Sequence, residues 1–106
     1  MTDFEAKLDR MVAGLERYGA EKGILFGSSA RGDADSHSDI DLIVIKRTDR
    51  RFLDRLADVI DAVEPDFGFD VLVYTPEEFE RMCDEGNPLL TRAVEEGKVI
   101  YERPEG

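Results

Sequence analysis

The sequence predicts a mixed α/β domain, a small β-sheet of about four strands with helices packed on it. Three observations predict it. Segments with apolar residues at helical spacing alternate with short β-branched apolar runs, which is the pattern of helices covering a sheet. The 106 residues fit one domain, spanning residues 1–106, with room for one sheet and a few helices. Hydrophobic residues make up 42% and charged residues 37%, enough for a core under a densely charged surface.

Taken in order, Thr2 and Glu5 have capping-box spacing, and Phe4, Leu8, Met11, Val12, Leu15 and Tyr18 then recur at helical intervals up to Gly19. Lys22-Gly23 leads into Ile24-Leu25-Phe26, a buried strand that stops at Gly27 in a tight turn. Residues 40–45 read as the second strand. Thr48 is placed to cap a helix whose Phe52, Leu53, Leu56, Val59, Ile60 and Val63 share one face, and Pro65 ends it. Residues 67–74 supply a third strand. Thr75-Pro76-Glu77-Glu78 is a strong helix start that turns Phe79, Met82 and Cys83 inward. Asn87-Pro88 opens a last helix through Leu89, Leu90, Ala93 and Val94, Gly97 closes it, and Val99-Ile100-Tyr101 forms an edge strand.

Composition narrows the function. Aliphatic runs fall far short of the roughly 20 residues of a membrane span, and the N-terminus has no secretory pattern, so a cytoplasmic protein with no membrane partner is expected. Cys83 is the single cysteine, which removes an intrachain disulfide and a multi-cysteine zinc site and leaves it the part of a small buried hydrophobe. With 25 acidic against 14 basic residues, the formal charge of −11 opposes binding to a long nucleic acid. Homo-oligomer formation is left open.

The chemistry concentrates in one stretch and one distant acid. Asp39 and Asp41 stand two apart at the start of a strand, hence on one face, and two adjacent anions invite a cation. Few oxygen ligands at an open edge suit Mg²⁺, with Mn²⁺ as the alternative. Asp70 interrupts the apolar third strand, where a buried unpaired charge is costly. If the second and third strands are neighbours, the three acids share two metal ions of the kind that clamp an in-line displacement, and phosphoryl or nucleotidyl transfer follows as the reaction class. Upstream, Gly27 and Gly32 bracket Ser28, Ser29, Ala30 and Arg31, a loop whose amides, hydroxyls and guanidinium suit phosphate oxygens. Glycine-rich loops alone are weak signals. Here the loop, the paired acids and the strand acid all ask for one ligand, a metal-bound nucleoside triphosphate. His37 in its polar loop and the group Glu77, Glu78 and Glu80 read as exposed surface and helix-dipole partners.

Gly27-Ser28-x-Ala30-Arg31-Gly32 followed by Ser38-Asp39-Ile40-Asp41-Leu42 resembles the signature of the DNA polymerase β-like nucleotidyltransferase superfamily. The short plan is similar to its minimal nucleotidyltransferases, the MNT antitoxins paired with HEPN-domain toxins. The resemblance implies the polymerase β-like fold and transfer of AMP from ATP to an acceptor hydroxyl with release of pyrophosphate. In the antitoxin group, the acceptor is a tyrosine of the HEPN partner. It also implies that Gly27 and Ser28 contact the triphosphate, that Arg31 orders the loop or touches phosphate, and that Asp39, Asp41 and Asp70 are the catalytic metal ligands, Asp70 assisting the acceptor hydroxyl. Two other readings compete: a silent nucleotide-binding antitoxin that masks its partner, and a transferase acting on a small molecule such as an aminoglycoside.

Overall fold

The computed structural model describes residues 3–27 and 40–104. In chain order these form α1 (Asp3–Tyr18), β1 (Lys22–Phe26), β2 (Ile40–Ile45), α2 (Phe52–Val63), β3 (Phe69–Tyr74), α3 (Pro76–Asp84), α4 (Pro88–Glu96) and β4 (Lys98–Glu102). The strands make one mixed sheet in the order β3-β2-β1-β4. β1 runs antiparallel to both β2 and β4, and β2 runs parallel to β3, with α2 as the crossover that a parallel pair requires. The predicted fold class therefore stands, with β4 on one edge as expected.

Both faces of the sheet are covered. Leu25, Leu42, Val44, Val71 and Val73 pack with Met11 and Leu15 of α1 and Val59 and Val63 of α2. On the other face Ile24, Ile43 and Ile45 meet Leu90 and Ala93 of α4, joined by Phe79, Met82 and Cys83 of α3. This is why β2 reads as a continuous apolar run: it is central and buried on both sides. Cys83 is only half-buried, a partial departure from its expected enclosure.

Local chemistry sets most helix ends. At the start of α3 the Thr75 hydroxyl accepts from the Glu78 amide at 3.1 Å while the Thr75 amide donates to the Glu78 carboxylate at 2.8 Å, a complete capping box. The Asn87 side chain accepts from the amides of Leu89 and Leu90 and opens α4. α3 closes on Gly86 at φ +77°, with the Gly86 amide donating to the Cys83 carbonyl and Asn87 to that of Met82, a Schellman pattern.

Three expectations need correction. Thr48 does not cap α2: its hydroxyl accepts from the Arg50 amide in a local turn, and the helix starts after Arg51 with no side-chain cap. The third strand begins at Phe69, with Phe67 standing edge-on to it, ring centroids 6.0 Å apart. The apolar positions of α2 do not share one buried face, because Leu53 and Ile60 are exposed while Arg55 is buried. Arg55 donates to the carbonyls of Arg50 and Val73 and forms a 2.7 Å ion pair with Glu78, tying α2, the end of β3 and the start of α3 together. Thr2, the other half of the capping box proposed for α1, lies outside the described residues. Among the described residues, no helix is long and apolar enough to cross a membrane.

Candidate active site

The site is built where β1 ends and β2 and β3 begin. Alternation along β2 places Ile40, Leu42 and Val44 toward α1 and α2, so Asp41 projects from the opposite face, the one shared by Ile43 and Ile45. In β3, Val71 and Val73 face α1 and α2, which puts Asp70 on the same face as Asp41. The parallel register pairs Asp41 directly with Asp70. Neighbouring strands are about 4.8 Å apart, so the two carboxylates leave the sheet side by side at its exposed end. The condition set by the sequence, that the second and third strands be neighbours, is met.

β1 delivers the third described component. Phe26 is in register with Asp41 across the antiparallel pair and packs its ring into the apolar cluster beneath, so the next residue, Gly27, falls beside the Asp41 carboxylate. Gly27 has φ +66°, a left-handed conformation that glycine adopts without penalty. A Cβ at this position would stand 2.9 Å from Asp41 Oδ2, closer than side chains tolerate. Glycine here serves Asp41 as well as the loop that follows, a relation that only the register reveals.

Asp70 is exposed, contrary to the burial expected of a charge inside an apolar strand. The charge interrupts an apolar strand at its solvent end, so no burial cost demands a partner, and no described residue forms an ion pair with it. Its functional reading rests on its register with Asp41.

Of the remaining candidates, Ser28, Arg31 and Asp39 lie outside the described residues, as do Ser29, Gly32, Ser38 and His37. Among the described residues, no group of three acids, histidines or cysteines forms a metal site, since only Asp41 and Asp70 of the predicted three are described. These two fit a hard divalent cation: both supply carboxylate oxygens, they share one face at an accessible edge, and the flanking position lacks a side chain that would crowd them. Glu77 and Glu78 at the start of α3 are engaged elsewhere. Arg55 and the capping hydrogen bond hold the Glu78 carboxyl below the usual range, and a backbone amide and Arg47 do the same for Glu77.

A four-stranded sheet with paired acids beside a glycine turn defines the class, and comparison with known proteins agrees. The family model described as the nucleotidyltransferase domain matches residues 11–101. The chain belongs to this family. A Methanocaldococcus jannaschii protein named "putative protein adenylyltransferase" is 36% identical over 84 residues, covering 76% of this chain and 57% of its own length. The chain thus spans a little over half of that relative. Among solved structures, a "putative nucleotidyltransferase" from Sulfolobus solfataricus superimposes with a TM-score of 0.66 at 22% identity, over 97% of this chain and 86% of that one. A chain from a toxin–antitoxin structure with AMP-PNP gives a TM-score of 0.61 at 18% identity, over 91% and 73% of the two chains. At these identities, the structural likeness speaks for the fold.

Proposed function

We propose that this chain is a Mg²⁺-dependent nucleotidyltransferase that moves AMP from ATP to a hydroxyl of a partner protein, a tyrosine of a HEPN-type toxin, and so acts as its antitoxin in the cytoplasm. The observation that carries the chemistry is the registered pair Asp41 and Asp70 on one sheet face beside Gly27. The protein-directed reading draws support from the name of the M. jannaschii relative, and the antitoxin reading from the fold shared with a toxin–antitoxin chain.

In this scheme Gly27, Ser28 and Arg31 take the triphosphate, and Asp39, Asp41 and Asp70 hold the divalent ions. When bound, the ions supply positive charge against the triphosphate and the acceptor oxygen. Asp70, open to solvent, would receive the acceptor's proton as the acceptor oxygen bonds to the α-phosphorus. The bond from that phosphorus to the bridging oxygen breaks and pyrophosphate leaves. Asp41, held against the glycine turn, fixes where the pair of carboxylates meets the nucleotide.

The test is to incubate the chain with ATP, Mg²⁺ and a HEPN-domain protein that co-purifies with it, and to weigh that partner by intact mass spectrometry. The expected result is a gain of one or more AMP groups on a tyrosine, lost when Asp39→Asn and Asp41→Asn are combined. No gain with folded wild-type protein refutes transfer. Neutralisation of the toxin that survives the double substitution identifies the chain as a masking antitoxin instead.

A further inference from the structure

On the flank of α2, between the face that packs inward and the acidic face turned outward, the fold leaves apolar side chains exposed. Leu53 is 75% exposed and Ile60 43%, while Phe52 packs its ring against Tyr74, centroids 5.9 Å apart, and the helix packs inward through Val59, Val63 and the buried Arg55. Leu53, Ala57 and Ile60 follow the spacing i, i+4, i+7, so they form a single exposed stripe two turns long. Along one margin of that stripe runs a row of acids, Asp54, Asp58 and Asp61. Asp58 is held by Arg50 through bonds of 2.9 and 3.0 Å, whereas Asp54 and Asp61 are exposed. An apolar stripe with a charged margin is how one helix presents itself to another.

We propose that this stripe docks an amphipathic helix of a partner protein, one whose own apolar i, i+4, i+7 stripe is flanked by lysine or arginine that meets Asp54 and Asp61. Charge selects this occupant over a second copy of the chain. Two α2 helices packed antiparallel about a two-fold axis bring the acidic margin of each against that of the other, and each chain carries a formal charge of −11. A basic helix meets the same margin with opposite sign. The surface is independent of AMP transfer and is read without nucleotide.

The experiment uses the full chain, ¹⁵N-labelled, titrated with two synthetic helical peptides that share leucine and isoleucine at i, i+4, i+7 and differ only in flanks of lysine and arginine or of glutamate. The basic peptide is expected to shift the amides of residues 53–61 and to bind more weakly as salt rises. Replacing Leu53→Ser and Ile60→Ser together is expected to weaken it by about tenfold or more, from the apolar area lost. Because Leu53 is 75% and Ile60 43% exposed, that variant is expected to stay folded with only a modestly lowered thermal midpoint, well above the temperature of the titration. Absence of binding, equal binding of both peptides, or shifts centred elsewhere overturns the proposal. So does self-association of the free chain in sedimentation equilibrium that the double substitution abolishes, which assigns the stripe to a second copy.

Discussion

Gly27→Ala separates the needs of the backbone from those of the site. Two costs arise at this position. The left-handed φ of +66° penalises any L-residue with a Cβ by about 1–2 kcal/mol. The new Cβ would also stand 2.9 Å from Asp41 Oδ2, against an ordinary contact of at least 3.4 Å, so the carboxylate must retreat by about 0.5 Å. That oxygen ends a rotatable side chain, and its retreat is cheap in stability. Gly86→Ala supplies the control, since Gly86 has φ +77° and a Cβ there would meet nothing within 4 Å. Both variants are therefore expected to lose a similar 1–2 kcal/mol, roughly, in urea unfolding. They part in function. A misplacement of about 1 Å at a reacting centre costs on the order of a hundredfold, so Gly27→Ala is expected to lose roughly ten- to a hundredfold in nucleotidyl transfer while Gly86→Ala keeps the parent rate. Transfer at the parent rate by folded Gly27→Ala refutes the contact with Asp41 as a determinant of the site. A stability loss several kcal/mol beyond that of Gly86→Ala means the backbone moves instead of the carboxylate.

Further outcomes follow from the same contacts. Asp70→Asn is expected to abolish transfer, by about a hundredfold or more, yet leave the unfolding midpoint in place, because the group is exposed and unpaired among the described residues; a shifted midpoint assigns Asp70 to structure. Arg55→Ala is expected to cost about 2–3 kcal/mol in urea unfolding, short of the roughly 3–5 of a fully enclosed pair because the Glu78 side chain is 34% exposed and can rehydrate. The carboxyl of Glu78 lies below its ordinary value when folded, so its contribution is present at neutral pH and lost as pH falls from the ordinary carboxylate range through the lowered folded value. Glu78→Gln is accordingly expected to flatten that acid limb of the stability profile, and an unchanged limb contradicts the assignment.

What the sequence discloses here is local chemistry, and what it hides is contact between distant segments. Thr75-Pro76-Glu77-Glu78 and Asn87-Pro88 announce α3 and α4 because the capping atoms lie within three residues of the amides they serve. Thr48 misleads for a related reason: its hydroxyl satisfies a turn amide two residues on, before the helix has begun. Periodicity in α2 reports an apolar arc without reporting what covers it, so Leu53 and Ile60 are indistinguishable in sequence from Val59 and Val63. Arg55 lies just beside that arc, where the sequence pattern marks it as surface although it is buried. Its partner Glu78 is 23 residues away, beyond the reach of any local pattern. The acids divide in the same way. Asp41 is legible from its motif, whereas Asp70 is legible only as an odd charge in a strand, and the register that unites them is tertiary. Gly27 is recognisable as a turn glycine, but its second service, leaving room for the Asp41 carboxylate, appears only once β1 and β2 are paired.

The end of the sheet bearing Asp41 and Asp70 is proposed to support nucleotidyl rather than phosphoryl transfer. It is tested most directly by supplying ATP radiolabelled at either the α- or the γ-phosphorus to the chain, Mg²⁺ and the acceptor protein. The α-label is expected to enter the acceptor, the γ-label to leave as pyrophosphate, and Asp41→Asn and Asp70→Asn each to prevent incorporation. Retention of γ-label on the acceptor, or α-label incorporation undiminished by either substitution, contradicts it.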